Sequence, residues 1–363
     1  MRERVTVFNS ATSVNNVGCP TNVTLGLYVE SLSSFNSAHM SYDMDVYLMQ
    51  WWRDPRLTHD GSDLINTFDP AVLDRIWRPD VYFANSKQAA FQDVTVPNLL
   101  LRIQPDGYIY LSRRVTLQLS CMMSLWAFPM DQQECAVKML SYSHTEQQVN
   151  ITWHDVIGLT LADDIQLPDF LLTNATMHYC NGTYASGVYS CLEGKLELSR
   201  LSGYHMFQTF LPSACIVCIS WISFWINPES TAARVTLGIT TLLTLSTQAT
   251  GVRANLPPVS YTKAIDIWMG VCVAFVVAAL LEFTLINAMQ RHLLAKRVAP
   301  VNTLGKNVKK FENDNLPKDE DGTEDAYPFF TMPAKLDKIC RIFFPLCFLI
   351  FNLAYWIKFP PQL

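Results

Sequence analysis

The chain has 363 residues, enough for about two domains, and 50% of them are hydrophobic. Its net charge of −5 is modest, and no basic patch interleaved with aromatic residues suggests a nucleic-acid partner. The apolar runs concentrate after residue 205, so a mixed N-terminal region precedes a C-terminal region suited to a lipid bilayer.

The N-terminal region is predicted to form many short strands. Apolar and polar residues alternate in VTLQL at 115–119, which is the period of a half-buried strand. In YDMDVYLM at 42–49, Met44, Val46 and Leu48 form one apolar face, and the residues between them point the other way. Turn-forming residues separate these runs, and little helical periodicity is present. The pattern predicts an all-β sandwich.

The ten cysteines divide by location. Five lie in the apolar segments, where they are small buried hydrophobes: Cys215, Cys218, Cys272, Cys340 and Cys347. The other five lie in the N-terminal region: Cys19, Cys121, Cys135, Cys180 and Cys191. Close spacing favours pairing within 121–135 and within 180–191, which leaves Cys19 odd, although spacing alone does not fix connectivity. Zinc is the alternative, but no CxxC or HxxxH arrangement supports a metal site.

Four N-glycosylation sequons all fall within the first 205 residues. They begin at Asn22, Asn150, Asn174 and Asn181. A single sequon is a weak signal, whereas four confined to one half of the chain predict an extracellular glycoprotein region. That location also favours disulfides.

Four segments of the C-terminal region are apolar enough to cross a bilayer, which takes about 20 residues each. They cover roughly residues 206–226, 233–252, 264–288 and 339–358. Basic residues collect after the third span: Arg291, Lys296, Arg297, Lys306, Lys309 and Lys310. By the positive-inside rule this segment is cytoplasmic, so the N-terminal region and the C-terminus lie outside.

These boundaries predict an extracellular all-β sandwich followed by a four-helix transmembrane bundle. The sandwich takes residues 1–204, the first three spans 205–290, a cytoplasmic loop 291–336, and the fourth helix with an extracellular C-terminus 337–363. Residues 311–327 are charged and lack apolar periodicity, which predicts a disordered part of that loop.

The second span carries hydroxyl groups along one helical stripe. Residues at i, i+4 and i+7 spacing share this face: Ala232, Thr236, Thr240, Leu243, Thr247, Thr250 and Ala254. Several copies around an axis would line a narrow, partly wetted pore, with Leu243 as its one bulky apolar ring. The alternative is an ordinary membrane helix whose threonines hydrogen-bond neighbouring helices.

Three further motifs stand in the same chain. Cys121 and Cys135 enclose thirteen residues that include FPMD at 128–131, WRPD occupies 77–80, and Pro212 lies in the first span. With the second-span sequence they resemble the Cys-loop family of pentameric ligand-gated ion channels, over nearly the whole chain. The likeness is closest to the anion-selective branch, the glycine and GABA-A receptors and invertebrate ligand-gated chloride channels.

The resemblance implies a pentamer in the plasma membrane that conducts chloride. A homopentamer is favoured and a heteropentamer is the alternative, with a small-molecule agonist bound between adjacent extracellular domains. No cofactor and no metal are implied. The pore and selectivity positions that match the family are Ala232, Ala233, Arg234, Thr236, Thr240, Leu243 and Thr247.

The family pattern gives these pore positions separate roles. Five Arg234 side chains beside small alanines would make a positive inner mouth that concentrates anions. Cation-conducting relatives carry an acid in place of Ala233, while anionic relatives usually have a proline in place of Ala232, which leaves the narrowest width open. Leu243 would be the hydrophobic gate, or else would pack against neighbouring helices. Thr236 and Thr240 would offer hydroxyls to a partly dehydrated anion.

Family members hold their agonist in an aromatic box, and the matching positions here are rich in tyrosine. The principal side would comprise Tyr82, Tyr142, Tyr184, Ser186 and Tyr189, and the complementary side Tyr47, Met49, Arg102, Tyr110 and Ser112. Such a box offers cation–π surface and broad apolar contact. Each tyrosine taken singly is also compatible with ordinary packing.

Two departures from the family bear on the agonist. Glycine and GABA receptors have an arginine for the agonist carboxylate where Met49 stands, and a glutamate for its ammonium where Leu140 stands. Their loss predicts that neither glycine nor GABA is a good agonist, and favours an apolar or amphipathic molecule or an aromatic amine. Arg102 and Arg114 could partly replace the missing cation, so an anionic ligand stays open.

Coupling from site to pore is expected through the loop between Cys121 and Cys135, resting in the family on the linker at 253–263. Asp131 is expected to pair with a base near that linker, and Arg200 is another family coupling position.

Three other functions remain open. Histidines in or beside the outer region (His39, His144, His154, His178 and His205) suggest a proton-gated channel. The chain could also be a non-conducting subunit of a heteromeric receptor, or conduct cations. No catalytic triad, phosphate-binding glycine loop or carboxylate pair points to an enzyme.

Overall fold

The computed structural model describes residues 19–61, 63–227, 230–254, 256–304 and 332–361. Its contacts divide the chain into two compact units. One unit combines Met1–Leu125 with Asp131–Leu201, and the other combines Trp126–Met130 with Ser202–Leu363. Most of the expected cytoplasmic loop, with Lys306, Lys309, Lys310 and segment 311–327, lies outside the described residues.

The first unit is a β-sandwich of curled sheets, as the alternating patterns predict. Its strands are β1 (Thr21–Asn36), β2 (Ser41–Arg53), β3 (Ile65–Thr67), β4 (Val81–Phe83), β5 (Ser86–Phe91), β6 (Leu99–Ile103), β7 (Tyr108–Ser120), β8 (Gln132–Ser141), β9 (Val149–Trp153), β10 (Leu159–Leu161), β11 (Phe170–Tyr179), β12 (Thr183–Tyr184), β13 (Gly187–Val188) and β14 (Cys191–Arg200). A short helix α1 (Pro70–Leu73) precedes β4.

The strands form two main sheets and a small hairpin. The larger sheet has the order β10-β1-β2-β7-β6-β3, with β5 also paired to β7 and β9 to β1. The second sheet has the order β11-β14-β8-β4, and β12 pairs with β13. Met44, Val46 and Leu48 of β2 are buried as expected, and so are the apolar residues of 115–119 in β7. The predicted alternation of buried and less buried residues is therefore confirmed in β2 and in β7.

Two disulfides close loops in the sandwich. Cys121 bonds Cys135 across a Cα–Cα distance of 5.2 Å, and Cys180 bonds Cys191 across 5.0 Å. Both pairings agree with the sequence spacing, and Cys19 is exposed and outside any disulfide. The hairpin between β6 and β7 turns at Gly107, whose φ of +80° favours glycine.

The four sequon asparagines lie on strands or at strand ends of this unit. Asn22, Asn174 and Asn181 are exposed, while Asn150 is half-buried. Asn22 and Asn150 are neighbours in the β1–β9 pairing, and the Asn150 amide nitrogen lies 3.4 Å from the Asn22 side-chain oxygen.

The second unit is helical. It contains α2 (Gly203–His205), a π-helical turn (Met206–Phe210), α3 (Leu211–Ser220), a 3₁₀ turn (Trp221–Trp225), α4 (Thr231–Ala254), α5 (Ala264–Leu304) and α6 (Met332–Lys358). Gly203–Trp225, Ala264–Arg291 and Lys335–Lys358 are long and apolar enough to cross a membrane. Helix α4 has the length of a span but not that apolarity, since its threonines, glutamine and arginines lower its mean hydropathy.

A buried ion pair holds the end of the sandwich together. The Arg200 guanidinium donates to Asp131, with Nε 2.8 Å from Oδ1, and also donates to the Ser37 hydroxyl at 3.2 Å. Both charged side chains are at most 9% exposed. Gln133 donates to the same carboxylate. Within this unit the partner of Asp131 is Arg200, which the family resemblance implies only as a separate coupling position.

Replacing Asp131 with alanine should leave the Arg200 charge buried without its counter-ion. Breaking a pair of this kind costs about 3–5 kcal/mol, because the remaining buried charge loses its carboxylate. Thermal unfolding of the purified full-length protein measures the loss. The matched control is Asp74→Asn, which removes an exposed ion pair to Arg78 and should cost no more than about 0.5 kcal/mol. Equal losses in the two variants would contradict the assignment.

Candidate functional site

Four tyrosines gather beside the second sheet. Tyr82 is in β4, Tyr142 follows β8, Tyr184 is in β12 and Tyr189 follows β13. The rings of Tyr82 and Tyr142 lie 5.5 Å apart edge to face, and those of Tyr184 and Tyr189 lie 5.9 Å apart. The Tyr189 hydroxyl donates to Ser186 at 3.0 Å. The five expected residues of the principal side therefore share one cluster.

The cluster presents neutral aromatic surface. Burial, followed by the hydrogen-bonded phenol of Tyr184, raises the pKa of Tyr82 above its usual value, so the phenol stays protonated. Tyr142 and Tyr184 are 76% and 52% exposed, which leaves their ring faces open to a ligand. Ring faces attract cations and apolar groups rather than anions.

The carboxylate of Asp80 joins the two loops that carry Tyr82 and Tyr142. It accepts hydrogen bonds from the Ser141 hydroxyl at 2.6 Å and from the Ser143 backbone at 2.6 Å, and the His144 ring nitrogen lies 3.2 Å away. Burial alone would raise the pKa of Asp80, but these hydrogen bonds outweigh it and lower the pKa to about 2.

The lowered pKa fixes the pH range in which this connection holds. A carboxyl group with a depressed pKa contributes stability above its usual pKa of 3.8 and loses it as the pH falls toward 2. Asp80 therefore remains ionised throughout the physiological range. Proton gating near neutral pH would have to act on another group.

The expected complementary residues also share one surface, on the larger sheet. Tyr47 and Met49 lie on β2, Tyr110 and Ser112 on β7, and Arg102 on β6. Met49 is the cross-strand partner of Ser112, and Arg102 is the partner of Tyr110. Arg102 is exposed and the others are half-buried. Cross-strand partners point to the same face, so the five side chains form a continuous patch.

The two arginines of this face differ in their partners. Arg114 pairs with Asp45 and lies over the Tyr47 ring at 5.6 Å, so its charge is already matched. Arg102 lies over the Tyr110 ring at 5.8 Å and donates to the Asn66 side-chain oxygen at 3.2 Å. Within the described residues it pairs with no carboxylate. Arg102 is thus the cation on this face that is available to a ligand.

Sequence reasoning missed the aromatic residues that extend this patch. Trp51 lies 5.2 Å from the Tyr110 ring and 4.3 Å from the His154 ring. The signal was present, because Trp51 follows Tyr47 and Met49 at every second position of β2 and so must share their face. His154 accepts two backbone N–H groups at its Nδ1, each at 3.2 Å, which fixes its ring.

The two departures from the family lie at the expected places on these surfaces. Met49 is half-buried in the complementary patch, and Leu140 is only 2% exposed, as the cross-strand partner of Tyr82. Neither position offers a charge to an amino-acid agonist.

Helix α4 has two distinct faces. Its exposed face contains the whole predicted stripe: Ala232, Thr236, Thr240, Leu243, Thr247, Thr250 and Ala254. Ala233, a further expected pore position, is exposed as well. Leu243 is 63% exposed in the single chain. The opposite face is buried, and Gly238 approaches Leu280 of α5 so closely that an added Cβ would lie 2.1 Å from it. The stripe is therefore turned away from the other helices that the structure describes in this chain.

Arg234 corrects the sequence prediction, because it lies on the buried face and not with the stripe. It is 1% exposed, and its guanidinium bonds both carboxylate oxygens of Asp337 in α6 at 3.1 and 2.9 Å. Its Nε also donates to the Ile226 carbonyl at 3.0 Å. In this position the side chain does not line a lumen. The reason is helical geometry, since Arg234 follows Ala233 by one residue and points about 100° away.

The hydroxyls of the stripe are largely engaged with the helix itself. Thr240 donates to the Thr236 carbonyl at 2.8 Å, and Thr247 donates to the Leu243 carbonyl at 3.1 Å. Their exposed oxygens can still accept hydrogen bonds from water. Thr240 would have to rotate before it could donate to an anion, so the hydroxyl role expected of it is not ready-made.

The loop between the first disulfide's cysteines contacts the start of α5. The backbone N–H of Ala264 donates to the Trp126 carbonyl at 2.8 Å, and that of Ile265 donates to the Phe128 carbonyl at 3.2 Å. Trp126 also packs against Phe359, with ring centroids 5.7 Å apart. These contacts are made by the residues that directly follow the 253–263 linker, on which the family resemblance implies that this loop rests.

Family models match both units. A model described as the neurotransmitter-gated ion-channel ligand binding domain matches residues 6–201, and one described as the corresponding transmembrane region matches residues 209–303. The chain belongs to the neurotransmitter-gated ion-channel family. Channels of this family are membrane-embedded pentamers with an extracellular ligand-binding domain, and they are not enzymes.

Asp337 is the residue of the channel's helical unit that sequence reasoning missed. A lone carboxylate in an apolar span is costly and marks a functional partner by default. Asp337 and Glu282 are both buried carboxyl groups of this kind, and Arg234 is a buried cation in a third helix. The composition of the helices could have indicated that these charges need partners, although not which carboxylate bonds Arg234.

Substituting Gly182 with alanine should impair agonist response. An added Cβ would lie 1.9 Å from the Tyr189 carbonyl oxygen, a backbone atom that can move only with its loop. The change keeps the Asn181 sequon and should shift Tyr189 out of the cluster, raising the agonist concentration for half-maximal current by about tenfold, or ~1.4 kcal/mol. Gly270→Ala is the control, since nothing lies within 4 Å of its added Cβ. Similar dose–response curves for both variants would refute the close packing.

Proposed function

We propose that this neurotransmitter-gated ion channel conducts chloride at the plasma membrane as a homopentamer. The exposed face of α4 carries the proposal: it is threonine-striped, carries the bulky apolar side chains of Leu243 and its neighbour Ile239, and starts with two alanines. The helix contains no acidic residue along its 24 positions. Five such faces around an axis would give a wetted path with no carboxylate ring to favour cations.

With Arg234 paired, the positive inner end of the pore needs another source. Helix α4 begins at Thr231, so its first backbone N–H groups lie at the alanine end of the stripe. The first turn of a helix leaves N–H groups unsatisfied and carries roughly half a positive charge. Five helix N-termini with small Ala232 and Ala233 side chains would expose these dipoles to a passing anion. Leu243 is the proposed gate, because a closed leucine ring excludes water.

The proposed agonist binds between subunits, with the tyrosine cluster on one side and the Tyr47–Arg102 face on the other. Neutral rings, Met49 and Leu140 favour an apolar or amphipathic molecule and disfavour glycine and GABA. Arg102 is the cation available to an acidic group of the ligand. Agonist recognition would then combine ring contact with one charged hydrogen bond.

Proton gating is the second candidate, supported by the contact between His144 and Asp80 at 3.2 Å. Histidine is the side chain that changes charge near neutral pH. Stepping the external pH from 8 to 5.5 without any agonist tests it directly. A current under those steps that disappears in His144→Gln would favour protons over a chemical agonist.

The proposed function predicts a chloride-dependent reversal potential. In oocytes expressing the chain alone, an agonist screen under voltage clamp should find a gated current whose reversal potential shifts when external chloride is replaced. Glycine and GABA should give little response beside larger amphipathic compounds. A gated current that follows sodium and ignores chloride would refute anion conduction, and no current with any ligand or pH step would support an accessory subunit instead.

Replacing Ala233 with glutamate should weaken anion preference. Five carboxylates at the inner rim repel anions, and a tenfold fall in the chloride-to-sodium permeability ratio needs only ~1.4 kcal/mol. Ala233→Gln supplies the same size without charge and should retain the wild-type ratio. Reversal potentials in mixed salt solutions measure both, and an unchanged ratio in the glutamate variant would show that the filter lies elsewhere.

A further inference from the structure

The inner part of the helical unit contains a buried cluster of charges from three helices. Arg234 comes from α4, Glu282 from α5 and Asp337 from α6. All three side chains are buried, with residue exposures of 1%, 8% and 3%. A charge in such a place is retained only where its partners compensate the loss of hydration.

The partners of Arg234 are unequal. Asp337 takes two of its N–H groups in a bidentate bond, the geometry in which arginine and carboxylate bind most strongly. The Ile226 carbonyl takes Nε, and the Phe283 ring lies 5.9 Å from the guanidinium carbon. Glu282 lies beside Asp337, but neither of its oxygens has a hydrogen bond of good geometry. Asp337 is therefore the main restraint on the arginine.

The restrained side chain is next to the proposed lumen. Ala233, the preceding residue, is exposed on the striped face, and Ala232 is exposed beside it. Neither methyl group can block a long, flexible neighbour. Without Asp337 the guanidinium would lose its bidentate carboxylate and keep the Ile226 carbonyl and the nearby Glu282, whose oxygens make no hydrogen bond of good geometry. Losing such a partner is strongly unfavourable for a buried charge, and the exposed striped face beside it would offer water. An arginine can keep its aliphatic stem buried while its charged guanidinium extends to such water.

We infer that Asp337 is a positioning residue for ion permeation, which holds the Arg234 guanidinium away from the pore. Helix α6 thereby sets the charge at the inner end of the proposed pore, although α6 does not line that pore. The inference rests on the proposed pore face of α4. It adds a residue of α6 to the determinants of conductance.

The test uses Asp337→Asn, which keeps the shape of the side chain and removes its charge. Single-channel conductance is measured in excised patches with symmetric chloride. A freed Arg234 adds positive charge to the inner mouth, so chloride conductance should rise by at least about twofold. Asp337→Glu retains the pair and should restore the wild-type value. Lys338→Gln, at the exposed neighbouring position, is the matched control.

The decisive comparison repeats Asp337→Asn in an Arg234→Gln background. If Asp337 acts by positioning Arg234, its substitution should have no further effect on conductance there, and the double variant should reach the surface at least as well as Asp337→Asn alone. An equal change in conductance with and without Arg234 would overturn the inference, and so would an unchanged conductance in Asp337→Asn. If Asp337→Asn fails to reach the surface, recovery in the double variant supports the pair, and no recovery contradicts it.

The direction of the effect separates this inference from the proposed chloride selectivity. A freed arginine raises anion conductance and lowers cation conductance. Should the wild-type current reverse with sodium, the chloride assignment fails, but a fall in sodium conductance in Asp337→Asn would still support Asp337 as the positioning residue.

Discussion

The proposed pore face of the helical unit depends on the packing of α4, which has one buried and one exposed face. Its buried face is fixed by Arg234, bonded to Asp337, and by Gly238, which allows close approach to α5. Because these contacts bury one face of α4, the striped face is exposed on the opposite side of the helix. The chemistry of the proposed pore face therefore follows from what the opposite face of the same helix requires for burial. A threonine stripe alone would not determine which way it points.

The two proposed halves of the agonist site depend on strand pairing in the same way. Register places Met49 opposite Ser112 and Arg102 opposite Tyr110, so that residues far apart in sequence form one patch. On the other sheet, Asp80 connects two loops through hydrogen bonds to a serine-rich turn.

Much of this architecture was predictable from sequence. The period of two in β2 and β7, the cysteine spacing and the i, i+4, i+7 stripe each report a local geometry that tertiary contacts did not override. Arg234 was expected at a positive inner mouth because the family pattern groups it with Ala233, whereas in the single chain helix rotation separates the two and Arg234 is buried. The partners of Asp131 and Arg234 could not be read from sequence, because the bonded residues are far apart in the chain. Asp131 and Arg200 are 69 residues apart, and Arg234 and Asp337 are 103 residues apart.

The segment Trp126–Met130 belongs with the helices although strands flank it on both sides. The chain consequently passes between its two units three times, at 125/126, 130/131 and 201/202. Anyone grafting this receptor head onto another channel's membrane region at the last of these junctions alone would transplant five residues that are matched to the wrong helices. A chimera that keeps these contacts should exchange Trp126–Met130 together with the spans. The Cys121–Cys135 disulfide encloses this segment and so marks suitable exchange points.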